Sequence, residues 1–524
     1  MKVSAAKLSF PVSRRGNQIQ FGIALSAFGI WFFVYHFFWA QPFYSYFSDP
    51  ELPYFLNSVQ LYLSGTVQMH EHPGTLLQML GGLIAAVLQI NATNLFSIEK
   101  IDAFRGAWRL VSFASIVSLI FILCKFNERS KSLWLLPVAL LIFVSDYNTL
   151  AYLGTFTPEG AFFTIYLPVV LLFLLRVGQT ESMTWRECLL WAMALGAVTT
   201  IKVTLVPISL FAWSVILARS LDSPKFLSRR TVVVSAILSF VFAAVLSVIF
   251  SENREGQLRW FFQLLTESGR YGRATEGGGA FLPFGDIIQH LIAGLSLQSF
   301  TLLIPFFVLF SMAVWDLFSG GKTRSEKIHA FAFIAMLLMS LLLFIKHPYQ
   351  IKYLLTNSVL FLSFWCVRES YCEDRSKRGY PLIVLLLCGV VLNALSTHWL
   401  LHAYTKSIST ESRELIDGFV ETIQPHRIYF GSDISHPKSA KRFGVNWALF
   451  FSDEFSEQVG DIRLFSERSF NLRDARSRHR IALESISDSS LIVATNLYSD
   501  PRLEILFGDE EVGIFIYIPR RKLE

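Results

Sequence analysis

Residues 231–250 read TVVVSAILSFVFAAVLSVIF, twenty positions without a charge, directly after Arg229 and Arg230. A helix rises about 1.5 Å per residue, so such a run is about 30 Å long, which matches the hydrocarbon core of a bilayer. A soluble domain has no need of an uncharged run of that length, and the stretch reads as a membrane span. Working outward from it, similar runs recur near 19–40, 105–124, 132–151, 160–177, 186–201, 203–218, 298–317, 328–345, 351–367 and 380–400, which makes about eleven spans. The totals agree. Of 524 residues 53% are hydrophobic and 16% charged, with a mean hydropathy of +0.45. An average soluble domain carries about 25% charge.

The gaps between runs set an orientation. Basic residues precede the first span (Lys2, Lys7, Arg14, Arg15) and fill every second gap after it: Lys125, Arg129 and Lys131, then Arg176 and Arg186, then Arg219, Lys225, Arg229 and Arg230, then Lys322, Arg324 and Lys327, then Arg368, Arg375, Lys377 and Arg378. Cytoplasmic loops carry such an excess. Residues 1–18 are therefore expected in the cytoplasm, with 19–400 as the transmembrane domain. The 41–104 segment, the 251–297 loop and the tail 405–524 are expected outside. The apolar stretch 76–90 would invert this order if it crossed, so it is expected to be an interfacial or re-entrant helix. The net charge of +6 is mild, and no basic stripe interleaved with aromatics points to nucleic acid. The five cysteines form no CxxC or Cys/His pattern, so neither a disulfide framework nor structural zinc is implied.

The tail changes character. Strand-like runs at Arg427–Phe430, Asp461–Phe465 and Ser490–Thr495 alternate with helical patterns such as Lys438–Phe451, and a hairpin is expected over Leu503–Ile518 with Gly508-Asp509 at its turn. This reads as a small extracytoplasmic α/β domain.

Chemistry-bearing residues gather at the outer ends of the spans. Asp49-Pro50-Glu51 follows span one, and a partly desolvated carboxylate there suits a general base; the bland reading is a solvated loop broken by Pro50 and Pro53. His70-Glu71-His72 lacks metal-ligand spacing and reads better as a site wall. Lys202 interrupts an apolar stretch, where an unpaired cation is costly, so it either binds an anion or snorkels to the interface. Lys346, His347 and Lys352 with Tyr353 form a second cationic group on the side where positive charge is disfavoured; anionic lipid headgroups are its alternative partner. Arg270 and Arg273 lie beyond an amphipathic stretch (Gln257–Leu265) and before Gly277–Gly279, as in a lid or an ordinary linker. Asp146 and Glu159 could bind hydroxyl groups or a cation. Glu159 could equally be a first-turn acid behind Pro158.

Taken in order, these motifs resemble the GT-C glycosyltransferase superfamily, which includes protein O-mannosyltransferases and lipid A aminoarabinose transferases. The pattern covers roughly 20–370: the acidic pair, His72-Pro73-Gly74-Thr75, Arg105 and Arg109 opening span two, Ser145-Asp146 to Thr157-Pro158-Glu159, Gly196 to Lys202, and His347 to Tyr353. Two departures are that Pro50 splits the acidic pair and that Gly74 stands where a second Pro is usual. The resemblance implies an integral protein of a bacterial plasma membrane. It would move a sugar from a polyprenyl-phosphate donor to a glycan, lipid or protein acceptor at the outer face, with inversion. Asp49 would be the base, with Glu51 second, and Lys202 and the Lys346–Lys352 group would neutralise the departing phosphate. No cofactor is implied, and a divalent metal at Asp49, Glu51 or Asp146 is left open. A transporter or flippase is the alternative, but it would show repeated halves, which this chain lacks.

Overall fold

The computed structural model of the protein describes residues 51–67, 74–130, 134–144, 152–223, 225–266, 297–346 and 355–371, most of 21–32, and scattered positions over 384–395. In the C-terminal part it describes 411–425, 427–431, 436 and the strands below. The described helices are α1 (Phe21–Ile30), α2 (Glu51–Ser64), α3 (Thr75–Val87), α4 (Ile98–Ser130), α5 (Leu135–Val144), α6 (Pro158–Gln179), α7 (Trp185–Thr199), α8 (Val206–Asp222), α9 (Arg229–Ile249), α10 (Arg254–Thr266), α11 (Leu297–Phe318), α12 (Arg324–Lys346), α13 (Leu355–Tyr371) and α14 (411–423). Among them α4, α6, α8 with the 3-10 turn Val203–Leu205, α9 and the 324–343 part of α12 are long and apolar enough to cross a membrane. The molecule is mostly helical and carries a small sheet, as suits a helical membrane protein.

The opening stretch shows why. In α9 the exposed positions include Val233, Val234, Ile237, Leu238, Val241, Val245 and Ile249, while Ser235, Ser239, Ala243 and Ser247 are buried, together with Val232 at the start. Spacings of three and four place each set on one helix face. Large apolar side chains point outward and small residues inward, the reverse of a soluble helix. Helices in lipid associate through small residues that let backbones approach. Opposite them in α7 stands Gly196, where a Cβ would lie 2.4 Å from the Ser239 carbonyl oxygen.

The expected spans differ from these helices mainly in length. Span two (105–124) grows into the 33-residue α4, because the polar positions at 98–104 and 125–130 continue the helix beyond the apolar core. The expected span 186–201 is the 15-residue α7, about 22 Å at the helical rise and short of a bilayer core. The 76–90 stretch forms α3, whose 13 residues reach about 20 Å. Inside α6 a π-turn runs over Phe162–Tyr166.

One end of the bundle is tied by charge. Asp316 at the end of α11 pairs with Arg368 of α13 (Oδ2–Nε, 2.6 Å) and Lys322 (3.5 Å). Lys322 also reaches Glu326 of α12 (3.4 Å), and Arg368 reaches Glu369 (3.3 Å). The three acids and Lys322 are at most 5% exposed. Trp365 of α13 donates Nε1–H to the Leu135 carbonyl (3.2 Å), beside the C-terminal end of α4. The network therefore lies at the end of the bundle opposite Arg105.

The C-terminal sheet comprises β1 (Arg427–Gly431), β2 (Ile462–Phe465), β5 (Ser490–Ala494), β6 (Leu503–Asp509) and β7 (Ile514–Pro519) in the order β2-β1-β5-β7-β6; β3 (Leu472–Arg473) and β4 (Arg480–Ile481) form a separate antiparallel pair. β1 runs parallel to β2 and β5, and β7 antiparallel to β5 and β6. Ile416 of α14 packs with Ile428, Leu491, Val493, Ile514 and Ile516 in its core. The expected strands are present, with one correction. Gly508 pairs with Phe515 and Asp509 with Ile514, so both belong to β6 and the connection is 510–513. Phe507, between two apolar neighbours, carries the strand pattern through the Gly-Asp signal. The helix expected over Lys438–Phe451 lies outside the described residues.

Candidate active site

Four separate pieces of chain meet at the end of the bundle where α2 and α6 begin. Glu51 opens α2, in the first turn where the helix dipole favours an acid. Its Oε2 accepts from Arg105 Nε of α4 at 3.1 Å. Its Oε1 accepts from the Phe156 backbone N–H at 3.0 Å. Glu51 and Arg105 are buried. Beneath them lies an apolar floor in which Phe104 meets Phe55 and Phe156 edge-on (ring centroids 4.8 Å in each case) and Trp108 meets Phe156 at 5.0 Å. Trp108 donates its indole N–H to the Thr155 carbonyl (2.8 Å) and so fixes the 152–157 turn. Carboxylates buried over aromatic rings are strongly coupled to their cation.

The second ion pair is three residues along. Thr157 caps α6, its hydroxyl accepting from Gly160 N–H (3.0 Å), with Pro158 behind it. This places Glu159, 1% exposed, in the first turn, where its Oε1 meets Lys202 Nζ at 2.5 Å. Glu159 thus complements the helix N-terminus, as one sequence reading had it, and pairs with a lysine of the same chain. Lys202 gets there because the chain breaks between α7 and α8. It is extended (φ −162°, ψ 141°) between Thr199 and the 3-10 turn. β-Branched Thr199, Thr200, Val203 and Thr204 and then Pro207 disfavour a continuous helix across 199–207. The break is held by hydroxyls: Tyr166 donates to or accepts from Ser209 (2.7 Å), Ser209 meets Thr199 (2.7 Å), and Tyr166 donates to the Leu205 carbonyl (3.1 Å). Thr200 accepts from Leu76 N–H at 3.2 Å, which docks α3 against the same break.

α3 starts at Gly74, which is left-handed (φ 40°) and lies against Tyr54 of α2, where a Cβ would come within 2.7 Å of the ring. Proline, whose ring holds φ near about −65°, could not take that φ. The 41–104 segment is also joined to the next outer one. Val67 N–H donates to the Phe250 carbonyl (2.8 Å), and Glu252 N–H donates to the Val67 carbonyl (2.9 Å).

Of the residues singled out from the sequence, Glu51, Glu159 and Lys202 are brought into this one region. Lys346 is the last residue of α12. Asp49, His70, His72, Asp146, Arg270, Arg273, His347, Lys352 and Tyr353 lie outside the described residues. Asp49 and Asp146 lie two and ten positions in sequence from Glu51 and Phe156 respectively. Arg105 carried only the resemblance, yet it is the partner of Glu51. Its signal was available, a cation within the long apolar run of α4. Thr200 and the Phe156 N–H gave no such signal, since a backbone donor or a lone Thr in an apolar run reads as ordinary helix. Among the described residues no three His, Cys, Asp or Glu side chains gather as metal ligands.

Chemically, the region offers a carboxylate with both oxygens engaged and a lysine against an acid, all largely shielded from solvent. Both oxygens of Glu51 are already engaged, Oε2 by Arg105 and Oε1 by the Phe156 N–H, so it is better placed for positioning than for meeting an acceptor hydroxyl. Lys202 has its ammonium where an incoming anion could displace or share Glu159. No family model, curated protein or solved structure matches the chain, so its function is argued from the chemistry of the site.

Proposed function

We propose that the protein is a membrane glycosyltransferase of GT-C-like architecture with about eleven spans, moving a sugar from a polyprenyl phosphate to an acceptor at the outer face. The observation that carries this reading is the meeting of Glu51–Arg105 with Glu159–Lys202 at one end of the bundle, over an aromatic floor. Inverting transfer needs a base for the acceptor hydroxyl and a cation for the departing lipid phosphate in a site with little water. In this reading Asp49 is the base. Glu51, with both oxygens occupied, anchors the loop that carries it. Lys202 neutralises the phosphate as Glu159 yields it.

The test is turnover by the purified full chain in bilayers, across polyprenyl-phosphate hexoses and pentoses with cell-envelope acceptors. Wild type is expected to consume one donor, and Asp49→Asn and Lys202→Met to stop it while remaining folded. If no donor is consumed or bound, the transferase reading falls and transport of a lipid-linked precursor is tested next.

A further inference from the structure

Gln78 of α3 is fully buried, and neither its amide nitrogen nor its amide oxygen has a hydrogen-bond partner among the described residues. Buried side-chain amides are nearly always partnered, so an amide unpaired at both ends asks for an explanation. Its position supplies one. Gln78 shares a face of α3 with Gly74, Gly81 and Gly82. Those glycines bring the helix hard against its surroundings: a Cβ on Gly81 would lie 2.3 Å from Ser58 Oγ of α2 and 2.4 Å from Phe156 Cζ, and one on Gly82 would lie 3.2 Å from the Ser58 carbonyl. Gln78 is therefore the long polar side chain on a face otherwise stripped to backbone. That face is directed at α2 and at Phe156, whose N–H holds Glu51. Two residues earlier, Leu76 N–H is bonded to Thr200, two positions from Lys202. The helix that carries Gln78 thus touches Phe156 on one side of the site and Thr200 on the other.

We propose that Gln78 is a specificity-determining residue that reads a vicinal pair of hydroxyls on a glycosyl group, its carbonyl accepting from one hydroxyl and its NH2 donating to the neighbouring oxygen. A carboxamide offers one acceptor and two donors side by side, which matches adjacent hydroxyls, whereas a bare phosphate could use only the donors. A site that keeps both unpaired until the ligand arrives favours a ligand that bears the hydroxyls, because only that ligand satisfies the amide. The hydroxyls can belong to the donor sugar or to a glycan acceptor. The inference rests on the glycosyltransferase reading and adds a ligand contact to it.

The experiment compares binding of bare polyprenyl phosphate with that of polyprenyl-phosphate hexoses and their deoxy analogues, and of soluble oligosaccharide acceptors, to the full chain in nanodiscs. Wild type is expected to favour one hydroxyl-bearing ligand over its deoxy counterpart, and Gln78→Leu to reduce that preference by about tenfold with bare-lipid binding unchanged. Loss on the lipid-linked series names the donor sugar as source, and loss on the oligosaccharides names the acceptor. The apoprotein gives a separate reading: Gln78→Met should melt no lower than wild type, since it removes an unpaired buried amide. A wild-type preference that survives in Gln78→Leu, or a Gln78→Met apoprotein that melts lower, overturns the inference and leaves the transferase reading intact. A wild type that binds none of these ligands overturns both.

Discussion

At the scale of single residues, the two outer ion pairs behave differently because their surroundings differ. Arg105 is 9% exposed against a Glu51 that is 5% exposed. Removing one partner of such a buried pair leaves an uncompensated charge, at a cost of about 3–5 kcal/mol. Arg105→Met should therefore lower the melting temperature sharply. Glu51→Gln combined with Arg105→Met should recover part of the loss, and thermal melts in detergent provide the check; equal melts for Arg105→Met and wild type would show the pair to be uncoupled. Lys202 Nζ meets Glu159 Oε1 at 2.5 Å. Removing that acid takes one negative charge from beside the ammonium, so Glu159→Gln should bind bare polyprenyl phosphate more tightly than wild type does, by titration in nanodiscs. Both Glu51 and Lys202 stood out in the sequence, because charge inside or beside an apolar run is improbable without a role. Gln78 did not. An uncharged amide in a run of Leu and Met reads as one polar break in a helix, and only the packing of its glycine neighbours shows what surrounds it.

At the scale of elements, the close approach of α7 and α9 rests on one missing side chain. A Cβ at Gly196 would meet a backbone carbonyl, which cannot swing aside as a side-chain tip can. Gly196→Leu should separate the two helices and sharply reduce the yield of folded protein in size-exclusion profiles. Gly320→Leu is the control, because nothing lies within 4 Å of its would-be Cβ. The existence of α4, α6, α8, α9 and α12 was legible from apolar length alone. Their ends were not, because helices such as α4 continue into polar sequence once out of the apolar zone, where composition no longer marks them. The break at 199–205 was legible as a soft boundary around Lys202; the hydroxyl network of Tyr166, Ser209 and Thr199 that fixes it is long-range and left no periodic mark. In the sheet, Gly508-Asp509 looked like a turn by residue type, but the register with β7 is set by the apolar pairing of Phe507 and Ile516.

At the scale of the whole molecule, the charge pattern of the gaps and the two ends of the bundle make a joint claim. The Asp316–Lys322–Glu326–Arg368–Glu369 network sits at the end opposite Glu51–Arg105. If basic gaps face the cytoplasm, Gly320 lies inside and Gly418 of the C-terminal part lies outside. Both glycines have open space for a side chain. In a cysteine-free background, Gly418→Cys should be labelled by an impermeant maleimide in spheroplasts, and Gly320→Cys only after the membrane is opened. The reverse pattern would turn the proposed site to the cytoplasm. The expected orientation rests on Lys and Arg alone. The buried acids that neutralise Lys322 and Arg368 were not, since Asp316, Glu326 and Glu369 look like ordinary loop acids until three helix ends are brought together.

The two backbone hydrogen bonds at Val67 have a mechanical consequence. They clamp the chain just ahead of His70 to the junction from which α10 springs. Two segments far apart in the sequence are thereby yoked, and a tilt of α10 would be passed to Val67 through main chain, without help from any side chain. Because the coupling is carried by backbone groups, ordinary substitutions would leave it intact, whereas proline at 67 or at 252 would each remove one of its two donors and proline at both would sever it.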